Sequence, residues 1–236
     1  MQKQQPPARR KRAQPTAAIA TPAATAITAT TAAPTGKPAT RHNVCVFCGS
    51  GPGRNPAYAA AARTFGTALA TAGIGLVYGG GSLGLMGETA RAVLDAGGRV
   101  TGIIPEFLSE KERMLKEVDE LIVTADMHER KRLMFERSDA FVALPGGIGT
   151  LEELIEQMTW AQLGRHDKPV VIVNVENFWA PLKALLDHMR LEAFIRPGLE
   201  VRVSVLDTAE EVTPFLNRAF KSGPAKAGDE AVIEKL

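Results

Sequence analysis

From residue 43 onward, short unbroken apolar runs alternate with longer stretches in which apolar residues recur every three or four positions. The runs at 43–48, 74–78, 99–104, 121–123, 140–144, 170–174 and 201–206 have the length and continuous hydrophobicity of strands buried on both faces. Between them, residues 56–72, 84–96, 126–136, 150–162, 179–190 and 208–220 read as helices. Leu151, Leu154, Ile155 and Met158 show the helical spacing plainly, falling on one face. Pro56 stands where a helix start tolerates its missing N–H, and Gly97-Gly98 mark a helix end. Residues 106–118 are charged and irregular, with room for one short helix. Alternation of this kind predicts an α/β chain with a Rossmann-like, doubly wound, mostly parallel sheet and helices on both faces.

Three of the predicted strands end in glycine-rich turns, at 49–53, 79–84 and 145–149. In an open parallel sheet, ligands bind at the carboxyl ends of the strands, so three such turns on one edge predict a site of nucleotide or phosphate size. The last turn runs Pro145-Gly146-Gly147-Ile148-Gly149-Thr150-Leu151-Glu152-Glu153 and opens a helix. Glycines there let a ligand approach the backbone, and the first N–H groups of the helix favour an anion. Glu153 has two readings. Thr150 and Glu153 fit a capping box, Thr at N-cap and Glu at N3. Three glycines and a proline exceed what a cap needs and favour a functional carboxylate instead. The middle turn has a second reading too. Gly79, Gly81 and Gly84 match the dinucleotide fingerprint, and Glu106 follows where a ribose-binding acid belongs. An NAD(P)-dependent oxidoreductase is therefore one alternative, although this turn follows the second strand and no separate substrate domain is present. A nucleotide-binding protein without catalysis is another.

Composition divides the 236 residues unevenly. Residues 1–41 are mostly Ala, Thr and Pro without an acid or an aromatic, and are expected to be a disordered tail. Residues 42–221 form one catalytic domain in this reading, and 222–236 a frayed end. The tail holds seven of the 28 basic residues, so the remainder carries 21 basic and 26 acidic residues. A mildly acidic body argues against nucleic acid as a partner. No run of 18 apolar residues exists to span a membrane, and Thr and Pro break up residues 13–33 as a signal sequence; a cytoplasmic location is expected. Cys45 and Cys48 are spaced C-x-x-C but lie on a predicted strand, where odd spacing sends them to opposite faces. They read as buried small residues, and neither they nor the four histidines form a metal set, so no metal is expected.

Beyond these readings, residues 145–153 match the pattern P-G-G-x-G-T-x-x-E without a mismatch, and Met127-His128-Glu129-Arg130-Lys131 matches M-H-x-R-K. With Cys48-Gly49-Ser50, Tyr78-Gly79-Gly80-Gly81 and Thr159-Trp160-Ala161-Gln162-Leu163-Gly164, these segments resemble the lonely-guy (LOG) family, the cytokinin riboside 5′-monophosphate phosphoribohydrolases. That family also carries an older lysine decarboxylase label. The resemblance spans roughly residues 43–220.

The resemblance implies a Rossmann-like homodimer that cleaves the N-glycosidic bond of a nucleoside 5′-monophosphate, releasing base and ribose 5-phosphate, with no cofactor. It implies Glu153 as the carboxylate facing the sugar and Arg130 as the cation near the departing base or the phosphate. Gly146, Gly147, Gly149 and Thr150 would hold the phosphate, with Gly49, Ser50, Gly80, Gly81, Ser82 and Lys131 around the same pocket. Glu106 and Glu112 both remain open as ribose or base contacts, as does the base specificity. Met158 and Trp160 read as core or as a dimer contact. A decarboxylase would need pyridoxal on a lysine, and no lysine stands in a glycine-rich turn.

Overall fold

The computed structural model describes residues 28–31, 37, 39–109, 113–200 and 202–222. Seven parallel strands form the sheet: β2 (Asn43–Phe47), β3 (Gly75–Tyr78), β4 (Val100–Pro105), β5 (Glu120–Thr124), β6 (Ala140–Ala143), β7 (Val170–Val173) and β8 (Ser204–Leu206). An eighth, β1 (Thr28–Thr31), lies antiparallel on β5, and the order is β1-β5-β4-β3-β2-β6-β7-β8. The helices are α1 (Pro56–Thr71), α2 (Gly84–Asp95), the single turn α3 (Glu106–Ser109), α4 (Met127–Glu136), α5 (Ile148–Gln162), α6 (Ala180–Leu191) and α7 (Val212–Ser222).

The doubly wound expectation holds, for a reason visible on β2. Val44 and Val46 point into one core with Phe65 and Leu69 of α1, Val93 of α2 and Leu216 of α7. Cys45 and Phe47 point into the other, with Met134 of α4, Leu154 and Met158 of α5 and Leu186 of α6. The central strands thus need apolar residues on both faces, which is why their runs are unbroken. The two cysteines are buried and free, one in each core, as their spacing predicts. Burial pushes both thiols up, and the charge of Glu153 adds to it.

Three expectations are corrected. Residues 1–41 are not structureless throughout, because Thr28–Thr31 pair with β5 through the backbone. Helix α5 begins at Ile148, with Gly147 as an extended N-cap that makes no side-chain bond. Thr150 is therefore the third helical residue and Glu153 the sixth, so the capping box does not form. The last strand is shorter than expected, beginning at Ser204, and Val201 lies outside the described residues.

Candidate active site

The chain runs outward from β2 through β3, β4 and β5, then returns to the other side of β2 with β6. Open α/β sheets bind ligands outside the carboxyl ends of the strands at such a switch point, which here is the β2–β6 pair. The N–H of Gly49 donates to the Pro145 carbonyl at 3.0 Å, joining the first and third glycine turns. The second turn is joined to the first, since the Gly49 carbonyl accepts from Leu85 N at 2.9 Å. Gly84, at φ +57°, rests on the Ser50–Gly51 peptide, where a Cβ would collide with backbone. Its place in the G-x-G-x-x-G spacing thus serves loop-on-loop packing. Gly49, Ser50, Gly80, Gly81, Ser82, Gly146, Gly147, Gly149 and Thr150 therefore all lie on three joined turns and the start of the helix that follows the third.

The second turn is also held from outside. Gly80 O accepts from Leu115 N and Arg113 O accepts from Ser82 N, both at 3.0 Å, and Arg91 Nη1 donates to Ser82 O at 3.0 Å. The irregular stretch after β4 thus clamps the glycines, a role its sequence did not reveal. Glu106 opens α3 just beyond β4, and Glu112 lies outside the described residues.

In the third turn, Gly147, Ile148 and Gly149 are exposed, and the first intrahelical bond is that of Leu151 N to Gly147 O at 3.0 Å. An α-helix leaves the N–H groups before that point without helical partners, facing an anion with the positive end of the dipole. Thr150 is buried against Gly146, where an added Cβ would meet its hydroxyl.

Arg130 comes from α4, yet reaches across two strands. Its Nε donates to Ile103 O on β4 at 3.2 Å, and its Nη1 lies 3.7 Å from Met127 Sδ. The Nη2 nitrogen lies 3.8 Å from Glu153 Oε1, with side-chain exposures of only 7% and 13%. Gly79 makes this possible: a Cβ there would fall on Nη2 and stand 3.1 Å from Met86 Sδ. In the sequence Gly79 reads as part of the dinucleotide fingerprint and of a family segment, and the triple glycine after Tyr78 is the signal of its seat for the guanidinium. Arg130 and Glu153 are thus brought together. Lys131, the next residue, turns to Glu152 and Glu156, with Nζ at 2.6 and 2.9 Å. Burial works against its charge, but those two carboxylates prevail and hold the ammonium above its ordinary value. It lies beside Glu153 in a crevice with Phe47, Met134 and Phe141, but its ammonium is occupied by the α5 acids.

A half-buried carboxylate thus stands beside a buried guanidinium, close to a helix start whose first N–H groups have no helical partner. Among the described residues no three His, Cys, Asp or Glu side chains group as a metal site.

Comparison with known proteins bears on this geometry. Residues 86–216 match the family model described as "Possible lysine decarboxylase". A cytokinin riboside 5′-monophosphate phosphoribohydrolase of Arabidopsis thaliana is 51% identical over 173 residues, 73% of this chain and 81% of its own. One of Rhodococcoides fascians is 46% identical over 183 residues, 77% of this chain and 92% of its own. A probable rice enzyme of the same name is 47% identical over 179 residues, 76% of this chain and 80% of its own. Among solved structures, the Moco carrier protein of Chlamydomonas reinhardtii has a TM-score of 0.56 at 23% identity, covering 77% of this chain and 99% of that one. That likeness speaks for the fold alone.

Proposed function

The chain belongs to the LOG family of cytokinin riboside 5′-monophosphate phosphoribohydrolases, and on that premise we propose that it hydrolyses the N-glycosidic bond of an adenosine 5′-monophosphate, N6-substituted or plain. Water adds to the anomeric carbon, the bond to the base nitrogen breaks, and the base leaves with a proton. The other product is ribose 5-phosphate. In this reading Glu153 faces the sugar, either stabilising its positive charge or taking the proton of the water. Arg130 orients that carboxylate and lies near the departing base. The open N–H groups at 148–150 and the turns at Gly49–Ser50 and Gly80–Ser82 hold the 5′-phosphate and ribose. Lys131 orders α5 around them.

The observation that carries the reading is the Arg130–Glu153 pair, a buried guanidinium 3.8 Å from a half-buried carboxylate beside the glycine turns. A cap role for Glu153 is not available at the sixth helical position, and no lysine in the glycine turns could carry pyridoxal. No NAD(P) reading gains support, because Gly84 packs on a neighbouring loop. We further propose a homodimer, in keeping with exposed Leu163, Leu191 and Phe194, and a cytoplasmic location, in keeping with two unpaired thiols. No helix among the described residues is long and apolar enough to cross a membrane. Sedimentation and cell fractionation test these two statements.

The deciding experiment compares AMP, N6-isopentenyl-AMP and adenosine, reading free base by chromatography. Two or three charge-assisted bonds to phosphate should make adenosine poorer by on the order of 10³-fold in kcat/KM. Glu153→Gln should bind AMP but release base at least ~10²-fold more slowly. Equal rates for AMP and adenosine, or a Gln variant with most of its turnover, would overturn the assignment.

A further inference from the structure

The outer edge of β5 bears the sequence Glu-Leu-Ile-Val-Thr. An uncovered edge of that kind offers a row of free N–H and C=O groups to any other extended chain. Here it is covered. Thr28 faces Val123, Ala29 faces Ile122, Thr30 faces Leu121 and Thr31 faces Glu120, antiparallel to an otherwise parallel sheet. A second anchor follows. Lys37 Nζ donates to Gly98 O at 2.7 Å and to Asp119 Oδ2 at 3.1 Å, and Arg99 Nη2 donates to the Lys37 carbonyl at 3.2 Å. The same Asp119 oxygen accepts from Val100 N at 2.9 Å, so the anchor sits where β4 and β5 are tied together at their starts.

We propose that Thr28–Thr31, with Lys37 beyond them, are a built-in edge guard: a strand from the chain's own amino-terminal segment occupies the β5 edge by backbone pairing, and Lys37 anchors that segment to the same side of the sheet. The contacts are of two independent kinds, a four-residue ladder and a partly buried ion pair, which a tail lying on the surface by chance would not combine. Composition explains why such a segment serves. It holds no acid, so the acidic body does not repel it, and it has too few large apolar residues to fold alone. The guard also bears on the site, because β5 runs directly into Asp126, whose carboxylate caps the helix that carries Arg130.

The test uses the full chain with Ala29→Pro and Thr30→Pro together, and separately Lys37→Ala. Adjacent residues of a strand turn their N–H groups to opposite sides, so one of the two prolines must remove a ladder donor. Hydrogen exchange of the amides at 120–124 should quicken by at least about tenfold in the double variant and by less in Lys37→Ala. The double variant should also form larger species as its concentration rises, while base release at low concentration persists. Unchanged exchange at β5 in both variants would overturn the proposal. So would protection of β5 in the wild type that appears only at concentrations where copies associate, since the pairing strand would then belong to a second copy.

Discussion

At the scale of single residues, the site depends as much on an absent side chain as on those present. Gly79 leaves the space that the Arg130 guanidinium fills. A methyl group there meets the far end of a flexible side chain, so the fold should survive while the guanidinium moves. We expect Gly79→Ala to lower kcat/KM by about 10²-fold, the size of effect that a small displacement of a positioning group produces. Its melting temperature should stay within a few degrees of wild type. An active Gly79→Ala enzyme would show that Arg130 has freedom to act from another position. His166 is a different case. Its Nδ1 accepts from Lys168 N at 3.1 Å, so its proton sits on Nε2, facing Gln157 O at 3.2 Å. Burial beside Phe135 and Phe141, then the charge of Lys168, holds the imidazole below its ordinary value. A depressed histidine contributes stability that is complete above its unfolded value, near 6.5, and declines as pH falls below it. Melting temperature should therefore drop between pH 7.5 and 5.5, and drop less in His166→Phe, which keeps a ring and loses the titration.

At the scale of elements, the closest helix pair is α1 on α2. Gly66 lies at their contact, where a Cβ would stand 2.5 Å from Thr89 O, 2.8 Å from Ala92 Cβ and 3.2 Å from Val93 N. These are backbone and short side-chain atoms, which cannot swing aside. Alanine gains about 1 kcal/mol as a helix former but forces the helices apart, at a cost of roughly 1–3 kcal/mol. We expect Gly66→Ala to destabilise by ~1 kcal/mol, or roughly 2–4 °C in melting temperature; thermal denaturation decides the sign. The central strands of this sheet were legible because both of their faces are buried, so hydrophobicity alone marked them, whereas β8 at the edge is only half-buried and its bounds were overdrawn. The start of α5 was misread by two residues, because Thr-x-x-Glu is a cap signature and a bare Gly147 leaves none. Strand β1 was invisible, since pairing through the backbone needs no apolar period. The meeting of Arg130 and Glu153 was not legible in local pattern either. The two stand on different helices after different strands, and only the family motifs put them in one site.

At the scale of the whole molecule, the formal charge of +2 conceals an acidic body. Five of the 28 basic residues precede Lys37 and no acid does, so the chain from residue 37 onward carries 23 basic against 26 acidic side chains. Deleting residues 1–27, which spares β1, removes the same five, and the shortened protein should leave a cation exchanger at pH 7 and bind an anion exchanger. Unchanged elution would mean that the basic cluster is neutralised by the fold. The strand order has another consequence, one of time. The Asn43 N–H meets the Asp139 carboxylate at 2.9 Å across 96 residues of chain, and the whole β2–β6 seam shares that separation. Pairs β2–β3, β3–β4 and β4–β5 close much shorter loops and can form while synthesis continues. The seam cannot form until β6 has been made, and the Gly49–Pro145 bond at its end waits for the glycine turn that follows β6. A nascent chain should therefore own most of its sheet before it owns any active site. In pulse-labelled refolding, amides of β3 and β4 should gain protection ahead of those that join β2 to β6, and base-releasing activity should appear with the later group.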